Sequence, residues 1–217
     1  MDSFAPGGPA MASSDVLRHG VGLVAVFGIA LGLGLVSLGA DQPADDATTT
    51  AGESKVPDEW LEGTRSSRAM RFAELKVGEN PPALKVGEWK NADTLDLADL
   101  KGKVVLLDFW ATWCGPCLVS IPHTNDLYER YKGDGLVIIG VCHSRGADLM
   151  GKTAEDKGIK YPVAADVDGA TVAAFAVDSF PDYYFIDRAG KLRILDCKNN
   201  NVEDAIKLLL AEKAKSK

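Results

Sequence analysis

Two cysteines, Cys114 and Cys117, stand at the spacing at which paired thiols react in turn. They follow a strand-like apolar run at 104–107, and the chain after them is predicted to be helical. A free cysteine has a pKa of about 8.5, whereas a Cys-X-X-Cys at a helix N-terminus lowers it to roughly 7 or below. Pro116 suits the first turn of a helix, where its nitrogen needs no hydrogen-bond partner. The pattern therefore predicts Cys114 as the attacking thiolate and Cys117 as the thiol that resolves a mixed disulfide.

Zinc binding and a purely structural disulfide are the alternatives for this cysteine pair. A zinc site would usually need a second pair of Cys or His ligands at similar spacing. Cys142, His143 and Cys197 do not provide such a pair. Redox chemistry is therefore the favoured interpretation.

The residues around the pair resemble a known family. The run at 101–117, KGKVVLLDFWATWCGPC, is similar to the thioredoxin superfamily, specifically to its membrane-anchored TlpA/ResA-like thiol-disulfide oxidoreductases. The similarity extends over roughly 77–210 and includes Phe180-Pro181 and the following Tyr-Phe-Ile-Asp at 184–187. It implies an α/β, thioredoxin-like three-layer fold with a central mixed sheet and an inserted helix-strand unit. It also implies thiol-disulfide exchange without a metal or other cofactor.

The resemblance implies a proton acceptor as well. Asp108 stands where the thioredoxin family places a buried acid beneath the resolving cysteine, and desolvation there would raise its pKa. A solvated aspartate at the strand end is the alternative. Ser120 replaces the glutamate that this branch often carries three residues after the second cysteine, and Gly140 replaces the lysine of plain thioredoxin. We therefore expect Asp108 to act as the base in an altered environment.

Pro181 is implied to be the cis-proline that faces the cysteines and aligns the substrate, and an ordinary trans proline in a loop is the alternative. Phe180 stands in place of a smaller residue and Asp182 in place of a threonine, so the groove should have a different shape. Trp110 either joins Trp113 and Phe180 in an apolar docking surface or belongs to the core. The predicted substrate groove consists of four residues near the cysteines: Trp113, Gly115, Pro116 and Phe180.

The domain is predicted to alternate strands and helices. Predicted strands cover 104–109, 136–142, 161–165, 183–186 and 192–195, and predicted helices cover 117–131 with an interruption at Pro122, 147–157, 170–175 and 202–212. With the strand order 136–142, 104–109, 183–186, 192–195, Cys142 and Cys197 would lie about 14 Å apart on the active-site edge. That is too far for a disulfide, so each is expected to be a small buried side chain. An auxiliary thiol role for Cys142 is the sharper alternative.

The N-terminal part of the chain predicts a membrane anchor. An uncharged apolar run at 21–38 is just long enough to span a bilayer, and Arg18 precedes it while Asp41 follows it. We therefore predict a cytoplasmic segment at 1–20, a transmembrane helix at 21–39, and a catalytic domain on the extracytoplasmic, periplasmic side. The alternative is a cleaved signal peptide and a secreted protein.

A polar linker is predicted at 40–76 and the thioredoxin-like domain at 77–217. The linker is rich in Asp, Ala, Thr, Ser and Glu, although a short helix between Asp58 and Leu75 is compatible with its few apolar residues. We therefore interpret it as a solvated tether between the membrane and the domain.

Function is predicted from the cysteine pair and the resemblance together. We expect a reductase of protein disulfides that draws electrons from a membrane thiol transporter and serves cytochrome c maturation or general cysteine reduction. A copper-handling protein that uses Cys114, Cys117 and a histidine such as His143 is one alternative, and a thiol peroxidase is another. The net charge of −7 speaks against nucleic acid as a partner.

Overall fold

A six-stranded mixed sheet forms the centre of the molecule. The computed structural model describes residues 54–212. The strand order is β1-β4-β3-β2-β5-β6. In chain order the strands are β1 Val86–Lys90, β2 Val104–Trp110, β3 Leu136–Cys142, β4 Val163–Asp166, β5 Asp182–Ile186 and β6 Leu192–Ile194.

Strand β2 lies in the interior of this sheet and carries the active-site region at its end. All seven of its residues are buried, as a continuous apolar run predicts for a strand covered on both faces. It pairs in parallel with β3 and antiparallel with β5. This register places Gly140 on one side of Asp108 and Tyr183 on the other.

Helices cover both faces of the sheet, which confirms the three-layer architecture. The α-helices are α1 Arg65–Arg71, α2 Gly115–Tyr131, α3 Met150–Asp156, α4 Ala170–Ala174 and α5 Val202–Ala211. Alternate residues of β2 face opposite layers, because successive side chains of a strand point to opposite sides. One layer packs Val104 and Leu106 with α2, α3 and α5. The other packs Val105, Leu107 and Phe109 with Phe175 and the end of the N-terminal segment.

The predicted elements of the domain are present, with two differences. Helix α2 starts at Gly115 and runs through Pro122 to Tyr131, whereas the sequence predicted an interruption. Buried Ile121, Thr124 and Leu127 hold both halves of α2 in place, so the lost proline N–H does not end the helix. Strand β1 was not predicted, because it is short, half exposed and irregular between Gly87 and Trp89, where it pairs with β4.

Residues 54–76 pack against the domain, although the sequence suggested a tether that ends at residue 76. Phe72 and Leu75 are buried in the core, and Leu61 forms an isolated β-bridge with Cys197. The backbone N–H of Lys198 donates to the carbonyl of Trp60. A few apolar residues are enough to attach a polar segment when their side chains are buried against the sheet.

The predicted cytoplasmic segment at 1–20 and the predicted anchor at 21–39 lie outside the described residues. Within residues 54–212, no helix has both the length and the apolar character needed to cross a membrane.

Candidate active site

The cysteine pair lies where β2 gives way to α2. Cys114 is the N-cap residue of α2, and it forms a disulfide with Cys117 whose Cα atoms are 5.3 Å apart. The Sγ atom of Cys114 accepts a hydrogen bond from the backbone N–H of Cys117 at 3.2 Å. The same N–H group and the helix N-terminus would stabilise a thiolate on Cys114 once the disulfide is reduced. The spacing predicted from the sequence therefore produces a redox pair at a helix N-terminus.

Asp108 is buried on β2 between Leu106 and Trp110, and strand alternation therefore puts its side chain on the face of the sheet that packs with both cysteines. Its Oδ2 atom accepts a hydrogen bond from the Tyr161 hydroxyl at 3.2 Å, and its Oδ1 atom has no hydrogen-bond partner among the described residues. Burial raises the pKa of Asp108 to about 7, against the opposing effect of the Tyr161 hydrogen bond. A carboxyl group with this pKa can both accept and release a proton near neutral pH. The alternative of a solvated aspartate does not fit this position.

Gly140 leaves no room for the lysine that plain thioredoxin carries there. A Cβ atom at Gly140 would come within 2.7 Å of Val163 Cγ1 and within 3.1 Å of the Tyr161 ring and of Trp110 Nε1. The space beside Asp108 is therefore filled by Tyr161, whose hydroxyl supplies the polar contact. Sequence reasoning missed this role of Tyr161, because the residue lies 53 positions away along the chain. Only the pairing of β3 with β4 brings it to the acid.

Tyr183 is a second buried tyrosine next to Asp108, on the other side of β2. Its hydroxyl has no hydrogen-bond partner among the described residues. Burial, followed by the charge of Asp108, raises the pKa of Tyr183 far above its usual value. Tyr183 thus remains a neutral phenol, and it adds to the low-polarity environment of the acid.

Pro181 immediately precedes β5, and the peptide bond between Phe180 and Pro181 is cis. The prediction of a cis-proline at this position is confirmed. Phe180 is half-buried and packs against both core clusters. Asp182, the next residue, pairs with Phe109 of β2, so the cis-proline is held at the edge where the cysteines lie.

Three aromatic rings, those of Trp113, His143 and Phe180, contact one another beside the cysteines and form what we call the aromatic surface. Their ring centroids are 5.3 to 5.9 Å apart in edge-to-face pairs. The Arg145 guanidinium lies 4.1 Å above the Trp113 ring, and Trp113 remains 47% exposed. Trp110 is buried in the core, which is the second of the two alternatives for this residue, and His143 joins Trp113 and Phe180 in the surface.

His143 is held as part of this surface. Its Nδ1 atom accepts a hydrogen bond from the backbone N–H of Arg145 at 2.9 Å. Among residues 54–212, no group of three or more His, Cys, Asp or Glu side chains is arranged to hold a metal ion. The copper-handling alternative therefore gains no support from the geometry around His143.

Gly115 and Pro116 are exposed at the start of α2. Pro116 and Pro181 line the same groove, which has a volume of about 480 Å³. The opposite wall of this groove comes from the N-terminal segment, at Glu62, Gly63, Ser67, Arg68 and Arg71. The sequence suggested Pro116 as a groove residue, but gave no reason to expect this wall.

Arg71 is the second feature that the sequence did not reveal. Its guanidinium forms ion pairs with Asp182 and Asp196 at 2.6 Å and with Asp178 at 3.0 Å. Its Nε atom donates to the carbonyl of Ala176 at 2.7 Å. Burial raises the pKa of Asp182, the negative charge of Asp196 adds to that effect, and Arg71 opposes both. The N-terminal segment is thereby bound to the loop that carries the cis-proline.

Cys142 and Cys197 are free and buried. Burial raises the pKa of each thiol to about 12. Both thiols stay protonated at neutral pH, which suits small buried side chains and disfavours the auxiliary role considered for Cys142.

Known proteins resemble this chain in sequence. The pattern of the AhpC/TSA family matches residues 77–194. Thiol-disulfide oxidoreductase ResA of Bacillus thuringiensis (strain Al Hakam) is 33% identical over 118 residues, which cover 54% of this chain and 68% of ResA. Protein DipZ of Mycobacterium bovis (strain ATCC BAA-935 / AF2122/97) is 37% identical over 130 residues, which cover 56% of this chain and 19% of DipZ. The similarity to DipZ therefore concerns a small part of that protein.

A solved structure shares the fold of the domain. The crystal structure of a candidate thiol:disulfide interchange protein DsbE from Chlorobium tepidum matches with a TM-score of 0.55 and 30% sequence identity. The match covers 63% of this chain and 97% of that structure. The α/β fold with its mixed sheet is thus thioredoxin-like, as the resemblance implied.

Proposed function

The chain belongs to the AhpC/TSA family and is a thiol-disulfide oxidoreductase, and from this premise we propose that it reduces disulfides of protein substrates outside the cytoplasm. The observation that carries the proposal is the Cys114–Cys117 pair at the start of α2, with Asp108 buried on the strand that leads to it. This combination supplies a nucleophile, a resolving thiol and a proton acceptor within one site.

The reaction begins with the reduced pair. The Cys114 thiolate attacks one sulfur of the substrate disulfide, and a mixed disulfide forms while the other substrate sulfur leaves as a thiolate and takes up a proton. Cys114 fits the attacking role because it is the N-cap of α2, where backbone N–H groups stabilise its negative charge.

Cys117 completes the reaction. Asp108 takes the proton of Cys117, and the resulting thiolate attacks the Cys114 sulfur of the mixed disulfide. The second substrate thiol is released with a proton, so the substrate gains two electrons and two protons and the enzyme pair becomes oxidised. The raised pKa of Asp108 suits this step, since a carboxyl with an ordinary pKa would be a weak base toward a thiol.

Substrate alignment is assigned to the cis-proline and its surroundings. In the proposed role, the backbone beside Pro181 pairs with an extended substrate segment, as the family resemblance implies. Trp113 and Phe180 offer an apolar contact on the aromatic surface. Gly115 and Pro116 keep the approach to Cys114 free of large side chains.

The direction of electron flow is proposed from the residues between the cysteines. Gly115-Pro116 is the pair found in thioredoxin, a reductant at about −270 mV, rather than that of DsbA, an oxidant at about −120 mV. A reductase must be reduced again after each cycle. We propose a membrane thiol transporter as its electron donor, the anchor at 21–39 as its attachment to the bilayer, and cytochrome c biogenesis or general cysteine reduction as its pathway. The alternative is a secreted protein after signal cleavage.

The reduction potential of the Cys114–Cys117 pair tests this direction. The protein is equilibrated with glutathione buffers, the free thiols are alkylated, and the oxidised fraction is read by mass. A value below about −250 mV is expected for a reductase, whereas one above about −150 mV would identify an oxidase. A pair that does not cycle at all would contradict the redox function.

A further inference from the structure

A groove of about 480 Å³ begins beside the redox pair, at Pro116. Its inner side is formed by Pro116 and by the cis-proline loop at 178–181. Its far side is formed by the N-terminal segment and by the chain that follows β6. Pro116 lies between the two cysteines in the chain and Pro181 is the cis-proline, so the groove starts at two residues of the candidate active site.

The far wall of the groove is a fixed part of the fold. The backbone N–H of Glu62 donates to the carbonyl of Asp196 at 2.9 Å, and Leu61 pairs with Cys197. Arg71 ties the same segment to the cis-proline loop through Asp178 and Asp182. The wall is therefore already ordered before a ligand binds, and binding does not have to include the entropy cost of ordering it.

Negative charge is in slight excess along the groove. Three of the charged side chains that line it are acidic, Glu62, Asp178 and Asp196, and two are basic, Arg68 and Arg71. Arg71 is paired with Asp178 and Asp196, whereas Arg68 and Arg65 share Asp58. Glu62 lines the far side of the groove and is exposed. The buried thiol of Cys197, on the far side of the groove, senses this charge. Its pKa is raised first by burial and then by a set of nearby carboxylates: Asp196, Asp182, Glu62 and Asp204.

Exposed hydrogen-bonding groups accompany the charge. Ser67, Ser179 and Asn199 line the groove and are exposed. Side chains of this kind suit the backbone amides and polar side chains of a polypeptide better than they suit an apolar ligand.

We propose that this groove binds the polypeptide segment next to the substrate's disulfide and that Glu62 selects segments carrying Lys or Arg. The inference rests on the proposed function, since it names the substrate class of the same site. It makes the N-terminal segment a specificity element rather than a passive tether.

Two disulfide-bonded peptides test the selection. They share one sequence, except that the positions flanking the disulfide carry Lys in one and Glu in the other. The full-length protein is reduced with dithiothreitol, freed of excess reagent, and mixed with each peptide in a single-turnover reaction. The rate ratio of the Lys peptide to the Glu peptide is then compared among wild type, Glu62→Gln and Glu62→Lys.

The expected ratio for wild type favours the Lys peptide. We expect Glu62→Gln to lower this ratio by about threefold and Glu62→Lys by about tenfold, as for the loss and reversal of an exposed ion pair. Glu74→Lys is the matched control, because it makes the same charge change on an exposed residue of the same segment outside the groove. It should leave the ratio close to that of wild type.

Reduction of 2-hydroxyethyl disulfide separates the two proposals. This small neutral disulfide reports the chemistry of Cys114 and Cys117, and its rate in Glu74→Lys should equal that of wild type. If it is reduced normally while Glu62→Lys and Glu74→Lys show the same peptide ratio, the inference is overturned and the proposed function stands. If wild type reduces neither the peptides nor the small disulfide, both are overturned.

Discussion

Asp108 illustrates at the scale of one residue how burial creates a base. The carboxyl group loses hydration on an interior strand, so its charged form is disfavoured and its pKa rises to about 7. The single hydrogen bond from Tyr161 opposes this rise without cancelling it. The balance of these two effects sets the pH range in which Asp108 could take the proton of Cys117, as we propose.

Asp108→Asn should make the oxidised protein more stable at alkaline pH. The folded pKa of Asp108 lies above its unfolded value, so its contribution to stability is fully present below about pH 4 and is lost as the pH rises through about 7. Removing the ionisable group should raise the free energy of unfolding at pH 8 by up to about 4 kcal/mol. Urea denaturation at pH 4 and pH 8 measures the difference, and an equal effect at both values would contradict the raised pKa.

Asp108→Asn should also slow substrate release. Without a base, Cys117 loses its proton to solvent only, and mixed disulfides on Cys114 should persist. We expect a loss of about 100-fold in turnover at neutral pH, the lower range for a general base. Trapped mixed disulfides are counted by mass after acid quenching.

Tyr161→Phe should shift the pH dependence of turnover. The Tyr161 hydroxyl stabilises the carboxylate form of Asp108, so its removal should raise the pKa of Asp108 and move the acid limb of the rate profile upward by about one pH unit. Tyr183→Phe is the matched control, because the Tyr183 hydroxyl lies beside Asp108 but donates to no partner among the described residues. An equal shift in both variants would show that the hydrogen bond is not the cause.

At the scale of elements, the N-terminal segment is the unexpected component of the site. Helix α1 has only seven residues, and short helices are marginal without tertiary contacts. It is held by the capping box at Thr64 and Ser67, by Phe72 and Leu75 in the core, and by Arg71. The same contacts place the groove wall opposite the cis-proline.

Arg71→Leu should destabilise the domain strongly. It leaves Asp182 and Asp196 buried without their counter-ion, and breaking a buried ion pair on one side costs about 3–5 kcal/mol. Arg65→Leu on the same helix removes an exposed arginine and should cost far less. Chemical denaturation of both variants measures the contrast, and similar losses would show that Arg71 is not what attaches the segment.

At the scale of the whole molecule, the side of the membrane on which the domain lies determines which disulfides can be its substrates. The proposed anchor at 21–39 would hold the domain at the membrane surface, close to a membrane electron donor. The full-length chain should therefore remain in the membrane pellet after an alkaline carbonate wash and be released by detergent. A variant without residues 1–39 should stay in solution, whereas a wild-type chain found in solution without those residues would favour signal cleavage.

The sequence by itself determined the chemistry and most of the fold. Redox pairs, strands and helices can be predicted from local sequence patterns. Three such patterns occur in this chain: the Cys114–Cys117 spacing, the apolar run of β2 and the segment with Pro181. The roles of Cys114 and Cys117 as attacking and resolving thiols remain predictions that the proposed experiments test.

Only the tertiary structure decided which distant groups surround that chemistry. Tyr161 reaches Asp108 and Arg71 reaches Asp182 across 53 and 111 residues of chain, and neither pairing leaves a periodic trace in the sequence. A polar segment such as 54–76 has the composition of a linker, and its attachment depends on a few side chains that find partners on a folded sheet. Contacts of this kind join residues that are far apart in the sequence. They can therefore be recognised only in the folded structure, where the sheet brings their elements together.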